Sequence, residues 1–191
     1  MTVGSPRRGR LVVIEGPDGC GKTTQAARLV ERLRLLGREV VGTFEPGATP
    51  TGALLRAVVL DRTLSLDPRA EALLMAADRA QHVASVIRPA LERGADVVTD
   101  RFSTSTLAYQ GIARGLGLEA VESLCDWATD GLRPDLVVLL DVGEGQLASR
   151  RGPSGDRLED EPQAFHARVR RAYGQLAERP GHVSVSGEGQ P

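Results

Sequence analysis

The chain has 191 residues, of which 41% are hydrophobic and 26% charged, and its formal net charge at pH 7 is −1. This length suits one globular domain, residues 1–191, and we expect 1–9 to form a disordered tail. So small a net charge gives no field for binding a polyanion, which argues against a nucleic-acid partner. The longest apolar runs, such as 136–140, are too short to cross a bilayer, so no membrane association is expected. Two cysteines, Cys20 and Cys125, are too few for a disulfide framework or a metal site, which favours a cytoplasmic protein.

Strands and helices alternate along the chain. Short apolar, β-branched runs predict strands, and apolar residues with a period of 3.6 predict helices. The predicted strands cover 11–15, 39–44, 95–99, 136–141 and 182–186, and the predicted helices cover about 22–36, 52–60, 68–93, 103–114, 118–129 and 161–178. This alternation is typical of an α/β fold, here a doubly wound, parallel five-stranded sheet flanked by helices. Ligands of such sheets bind at the carboxyl ends of the strands.

The segment 68–93 has the longest helical pattern. Pro89 is expected to kink it, because proline cannot continue the hydrogen-bond ladder. In the helix 118–129, Trp127 is expected to anchor the packing of helices. The residues of 68–93 that we expect to point inward are Leu73, Leu74, Ala77 and Ala80.

A phosphate-binding loop follows the first predicted strand. The string from Gly16 to Thr23 has two glycines in the required spacing before a lysine and a hydroxyl residue, and it precedes a predicted helix. Its backbone N–H groups would surround phosphate oxygens, Lys22 would reach the β- and γ-phosphates of ATP, and Thr23 would hold Mg²⁺. Lys22 is the one lysine among 24 basic residues, at a position where a compact ammonium differs in kind from a guanidinium. The alternative is a glycine-rich turn that binds nothing. The predicted ATP-binding residues are Gly16, Pro17, Asp18, Gly19, Cys20, Gly21, Lys22, Thr23 and Thr24.

Charged residues at two further places suit phosphoryl transfer. Asp100 and Arg101 follow the third predicted strand, where the carboxylate can orient Mg²⁺ and the arginine can bridge donor and acceptor phosphates. The alternative is a salt bridge at the strand end. An arginine-rich polar segment, about 150–159, suits a mobile lid that closes on the transferring phosphoryl group, with a solvated connector as the alternative. The predicted catalytic residues are Lys22, Asp100, Arg101, Arg150, Arg151 and Arg157, and the predicted metal ligands are Thr23 and Asp100.

Six segments, in chain order, resemble the thymidylate kinase family. They are GPDGCGKTTQ from Gly16, EPGAT from Glu45, DRAQHV from Asp78, DRFSTSTLAYQG from Asp100, RPDLVVLLDV from Arg133 and DRLEDE from Asp156. The resemblance covers nearly the whole chain and implies a P-loop nucleoside monophosphate kinase-like fold. The phosphate loop contains no arginine, as in the bacterial type of the family, in which the lid supplies it.

The resemblance also implies an acceptor site for dTMP. Asp18 would lie near the 3′-hydroxyl, Arg79 would contact thymine, and Arg101 would bind the acceptor phosphate. Tyr109 would occupy the space that a ribose 2′-hydroxyl needs, although a core tyrosine is the alternative. The implied acceptor-site residues, with Thr106 and Gln110 lining the base pocket, are Asp18, Phe44, Glu45, Met75, Arg79, Arg101, Thr106, Tyr109 and Gln110.

Three features depart from the family's pattern. Met75 stands where a phenylalanine usually stacks on thymine; its sulfur can still cover a base face, and a core methionine is the alternative. Phe44 stands where bacterial members usually have an arginine. The chain ends soon after the last predicted strand, so we expect part of the usual adenine site to be missing. The resemblance also suggests a cis peptide at Glu45–Pro46.

The leading hypothesis is therefore transfer of the ATP γ-phosphate to dTMP by a homodimer that uses Mg²⁺. The nearest alternative is another (deoxy)nucleoside monophosphate kinase, because Met75 and Phe44 weaken the case for thymine. A third hypothesis is a catalytically weakened nucleotide-binding paralogue. The base-reading pattern of GTPase switches, Asn-Lys-x-Asp, is absent because the chain has no asparagine.

Overall fold

Five parallel strands form the sheet at the centre of the structure, a computed structural model that describes residues 8–143, 147 and 155–187. The strands are β1 (Leu11–Glu15), β2 (Val40–Phe44), β3 (Asp96–Asp100), β4 (Leu136–Asp141) and β5 (His182–Ser186). Their order in the sheet is β2-β3-β1-β4-β5, and every neighbouring pair is parallel. The predicted fold class is confirmed. Arg150, Arg151 and most of the predicted tail lie outside the described residues.

The helices flank this sheet. They are α1 (Lys22–Leu35), α2 (Pro50–Leu60), α3 (Pro68–His82), α4 (Arg88–Glu92), α5 (Ser103–Thr106), α6 (Leu118–Thr129) and α7 (Gln163–Leu176), with π-helical turns at Val83–Ile87 and Leu107–Ala113. No helix within the described ranges is long and apolar enough to cross a membrane.

Local sequence sets where several helices begin and end. At the start of α2 the Thr49 side chain accepts a hydrogen bond from the Gly52 N–H, and at the start of α3 the Asp67 side chain accepts one from Arg69. Each of these caps is followed by a proline at the first helical position, where its missing N–H is no loss. At the end of α1, Gly37 adopts a left-handed conformation with φ 77°, which glycine accepts without strain.

The predicted long helix is continuous but changes its hydrogen bonding before Pro89. The chain is α-helical over Pro68–His82, π-helical over Val83–Ile87 and α-helical again over Arg88–Glu92. Proline has no N–H to donate to the preceding turn, and a π-helical turn accommodates that loss.

Two predictions about side-chain direction are wrong. In α3, Leu73 is 58% exposed and Ala77 is also exposed, while Leu74 and Ala80 are half-buried. The buried face of α3 is largely polar instead, which is possible because Glu71 and Arg79 each pair with charged partners outside this helix. Trp127 is 82% exposed because the buried face of α6 lies on the other side of that helix. The buried residues of α3 are Glu71, Ala72, Met75, Ala76, Asp78, Arg79 and His82.

Apolar side chains on the two faces of the sheet form two core clusters. One contains Leu11 and Val13 of β1 with residues of α4, α6 and α7, and the other contains Ile14 with residues of α1. These cores fix the strands in a register in which Ile14 and Phe44 both lie opposite Asp100. The carboxyl ends of β1, β2 and β3 therefore meet at one edge, where the candidate site lies.

Candidate active site

The phosphate loop leaves β1 at Gly16 and enters α1 at Lys22. Gly16 has φ 142°, and a Cβ there would lie 2.9 Å from the Leu140 carbonyl oxygen, so the loop requires glycine at this turn. Lys22 is buried, and its Nζ donates to the Pro17 carbonyl oxygen at 2.9 Å. Burial, with the charge of Arg101, lowers the pKa of Lys22 against the opposing effect of nearby acidic groups. The loop thus holds its lysine inward, beneath the backbone that would surround a phosphate.

Asp18 of the loop contacts Arg101 and Tyr109, two residues that follow β3 in the chain. The Arg101 guanidinium makes a short ion pair with one Asp18 oxygen, and the Tyr109 hydroxyl donates to the other at 2.6 Å. Burial alone would raise the pKa of Asp18, but the charges of Arg101 and Lys22 outweigh it and hold that pKa well below its usual range. Asp18 is therefore an ionised carboxylate that joins the phosphate loop to the pocket beside it.

A buried carboxylate beneath the loop positions Arg101. Glu15 is fully buried; one of its oxygens accepts from the backbone N–H groups of Phe102 (2.8 Å) and Ser105 (3.1 Å), and the other from the hydroxyls of Ser105 (2.6 Å) and Tyr173 (3.1 Å). Both hydroxyls also contact the Arg101 guanidinium, at 2.8 and 3.1 Å. Burial raises the pKa of Glu15 above its ordinary value, although Arg101 and the hydrogen bonds act against that rise. Sequence reasoning missed Glu15 and Tyr173.

Arg101 also has an unusual backbone conformation. Its φ is 71°, in the region that favours glycine, and its N–H donates to the Ile14 carbonyl oxygen at 3.0 Å. This strained turn directs the side chain back from the end of β3 towards Asp18.

Thr23 and Asp100 form an oxygen pair at the start of α1. The Thr23 hydroxyl donates to one Asp100 oxygen at 2.6 Å, and the other Asp100 oxygen is buried without a hydrogen-bond partner among the described residues. The part of the chain that the structure describes contains no group of three or more His, Cys, Asp or Glu suited to a metal. These residues fit Mg²⁺, which prefers oxygen ligands and is commonly held by one or two carboxylates together with substrate phosphates.

The loop opens into a cleft of about 940 Å³ that continues past Asp18. Its wall includes both the phosphate-loop residues and several residues predicted for the acceptor. Of the predicted acceptor-site residues, the cleft is lined by Asp18, Phe44, Glu45, Met75, Arg101, Tyr109 and Gln110.

Two predicted acceptor residues, Arg79 and Thr106, do not line the cleft that the described residues form, and they are 1% and 0% exposed. The Arg79 guanidinium is held by Glu45, at 2.8 Å, and by the Phe102 carbonyl oxygen, at 3.0 Å. Glu45 also contacts His82 at 2.8 Å, and the Glu45–Pro46 peptide is cis, as predicted. The structure therefore gives Arg79 a position behind the pocket wall.

The described end of the predicted lid is attached to the body of the protein. Arg157 donates to the Val59 carbonyl oxygen at 2.9 Å and makes an ion pair with Glu71 at 2.6 Å, and its N–H bonds the Leu60 carbonyl oxygen. Its neighbours Asp156, Leu158 and Glu159 line the cleft. In this arrangement the Arg157 guanidinium is held by α2 and α3 rather than by the phosphate loop.

A phosphate loop and a second pocket that share one cleft, at the edge of a parallel sheet, define a P-loop nucleotide kinase. The family model described as thymidylate kinase matches residues 14–189. The chain is 50% identical to a thymidylate kinase of Leifsonia xyli over 100% of this chain and 92% of that protein. It is 49% identical to a thymidylate kinase of Deinococcus radiodurans over 89% of this chain and 84% of that protein. The chain belongs to the thymidylate kinase family.

Proposed function

We propose that this protein transfers the γ-phosphate of ATP to dTMP, producing dTDP and ADP. The observation that carries the proposal is the position of Asp18. It is part of the phosphate loop, yet its carboxylate is hydrogen-bonded to Arg101 and Tyr109, which line the same cleft and follow β3 in the chain. A donor nucleotide on the loop and an acceptor nucleotide beside it would therefore meet within a single cleft.

On the donor side, the loop backbone and Lys22 would bind the ATP phosphates. Lys22 would exchange its contact with the Pro17 carbonyl oxygen for phosphate oxygens, where charge develops during transfer. Thr23 and Asp100 would hold Mg²⁺, which neutralises phosphate charge when bound.

On the acceptor side, Arg101 would bind the phosphate of dTMP. Glu15, Ser105 and Tyr173 already fix this guanidinium, so little side-chain entropy is lost when the acceptor binds. The attacking group is itself a phosphate oxygen, so no side chain has to remove a proton from it. Positioning and charge stabilisation are then the main sources of rate.

The sugar and base would lie along the cleft past Asp18. Tyr109 is buried, packs edge-on against Phe165 and Tyr173, and donates to Asp18, so it forms a rigid wall. Such a wall suits the exclusion of a ribose 2′-hydroxyl. Met75 would cover one face of the base. A direct contact of Arg79 with the base, catalysis by Arg150 and Arg151, a homodimer and a cytosolic location remain predictions of the sequence.

Purified protein with ATP, dTMP and Mg²⁺ tests this proposal through coupled detection of ADP and chromatographic detection of dTDP. We expect turnover by the wild type and a loss of at least about 100-fold in kcat for Lys22→Ala, because the loop lysine stabilises transition-state charge. Arg133→Ala removes a cation that pairs with Asp126 at the surface and serves as the control with retained activity. Formation of ADP without dTDP, or equal turnover by wild type and Lys22→Ala, would contradict the proposal.

A further inference from the structure

A second buried carboxylate, that of Glu71 on α3, lies behind the pocket. Glu71 is 0% exposed. Its Oε1 accepts from the Gln110 amide nitrogen at 2.8 Å and from Arg114 Nε at 3.2 Å. Its Oε2 accepts from Arg114 Nη2 at 3.0 Å and from Arg157 Nη2 at 2.6 Å. Every partner that the structure gives to this carboxylate is a donor.

Glu71 is therefore ionised and can only accept hydrogen bonds. Burial works to raise its pKa, but hydrogen bonds from Arg114, Gln110 and Arg157 outweigh the burial and keep the pKa below its ordinary value. A carboxylate without a proton has no donor to offer to any neighbour.

This fixes the orientation of the Gln110 amide. The amide group has one donor end and one acceptor end, and only its nitrogen can face Glu71. The Gln110 carbonyl oxygen is left buried and without a hydrogen-bond partner within the described chain. Gln110 is 1% exposed and lines the cleft together with Met75 and Tyr109. A buried acceptor without a partner costs free energy unless a ligand supplies a donor.

We propose that Glu71 is a positioning residue: it holds the Gln110 amide so that the carbonyl oxygen, a hydrogen-bond acceptor, faces the ligand in the base pocket. The pocket would then accept a pyrimidine whose ring N3 carries a hydrogen, as in thymine and uracil. It would disfavour cytosine, whose N3 is an acceptor and would face the carbonyl lone pairs. This inference rests on the proposed function, since it assumes a pyrimidine nucleotide in the cleft.

The substitution Glu71→Gln tests the mechanism, because it keeps the shape of the side chain and adds a donor. The Oε2 position receives cationic N–H groups from both Arg114 and Arg157, whereas the Oε1 position receives one, from Arg114 at the longer distance of 3.2 Å, so the oxygen of the introduced amide is best placed at Oε2. The introduced NH₂ then faces Gln110, which must turn its carbonyl towards position 71 and its own NH₂ towards the ligand. The pocket would then favour an N3 acceptor.

The measurement is calorimetric binding of dTMP and dCMP without ATP, so that any effect of Arg157 on phosphoryl transfer does not enter. We expect the ratio of dTMP affinity to dCMP affinity to fall about 10- to 100-fold in Glu71→Gln, the range for a buried polar group that gains or loses its partner. If the role of Glu71 were purely structural, Glu71→Gln would weaken the binding of dTMP and dCMP equally. An unchanged affinity ratio would therefore overturn the inference.

Two control variants separate orientation from loss of charge. Arg114→Gln removes a cation from the same cluster but leaves the carboxylate that orients Gln110, and its affinity ratio should stay within about twofold of the wild type. Glu122 lies on α6, away from this cluster, and its carboxylate accepts two hydrogen bonds of 3.0 Å from Arg179. Glu122→Gln removes that carboxylate and should also leave the affinity ratio unchanged. A fall in either control as large as that in Glu71→Gln would contradict the assignment to Glu71.

The charge-balanced double variant Glu71→Gln/Arg114→Gln provides the same test if the single variant does not fold, because it removes one acid and one base together and leaves Arg157 to hold the amide oxygen at the Oε2 position. Retention of the wild-type ratio in this variant would overturn the inference. Wild-type protein that phosphorylates dTMP but binds dCMP equally well would refute the inference while the proposed function stands. Wild-type protein that prefers dTMP in binding but does not phosphorylate it would refute the proposed function alone.

Discussion

Replacing Arg79 with methionine should destabilise the protein strongly even without a nucleotide. Arg79 and Glu45 are each 1% exposed, and their ion pair is 2.8 Å long. The Arg79 guanidinium also bonds the Phe102 carbonyl oxygen at 3.0 Å and lies 5.4 Å from the centre of the Phe102 ring. Arg79→Met leaves Glu45 buried without its guanidinium partner, and breaking such a pair costs about 3–5 kcal/mol.

Urea unfolding followed by circular dichroism measures this loss directly, with an unchanged dependence on urea concentration as the sign of two-state behaviour. A loss of this size corresponds to a fall in Tm of roughly 6–20 °C for a chain of this length. The matched control is Arg133→Met, because Arg133 and Asp126 are 65% and 42% exposed and should contribute at most about 1 kcal/mol. Equal, small losses in both variants would refute the structural role of Arg79 and would return it to the base contact implied by the family resemblance.

Three further substitutions test individual contacts of the site. Tyr109→Phe removes the hydroxyl that donates to Asp18 at 2.6 Å and should lower kcat/KM for dTMP by roughly tenfold or more; an unchanged value would contradict the role of this contact. Asp100→Asn should raise the Mg²⁺ concentration needed for half-maximal activity severalfold with little effect on folding, whereas an unchanged Mg²⁺ titration would remove Asp100 from the proposed metal site. Glu15 has a folded-state pKa raised above 4.5, so the folded protein binds its proton more tightly and loses stability as pH rises from 4.5 through the raised pKa. Glu15→Gln should abolish that loss relative to wild type in urea unfolding between pH 4.5 and 8, and parallel pH profiles would contradict the assignment.

The strands and the phosphate loop could be predicted because their signals are local. A buried strand reads as an apolar run, and the loop from Gly16 to Thr23 needs specific residues at fixed spacing. Asp100 and the loop both follow strands of one parallel sheet, so they were expected at the same edge, and the observed contact of 2.6 Å between Thr23 and Asp100 agrees with that expectation.

The buried polar groups behind the pocket could not be predicted in the same way. Glu71 lies in the first turn of α3, where an acidic residue usually indicates a favourable helix dipole at the surface. Its burial depends on Gln110, Arg114 and Arg157, which are distant in sequence and come together only in the folded chain. Hydrophobicity alone favours Leu73 over a charged residue, and the predicted inward face of α3 is wrong for this reason.

The most direct test of the proposed function is a comparison of kcat/KM for dTMP, dUMP, dCMP, dGMP and dAMP at saturating ATP and Mg²⁺. The structure and the family together predict that dTMP is phosphorylated most efficiently, that dUMP follows, and that dCMP and the purine nucleotides are poor acceptors. A kcat/KM for dTMP no higher than that for dGMP and dAMP would contradict the assignment of this site to thymidylate.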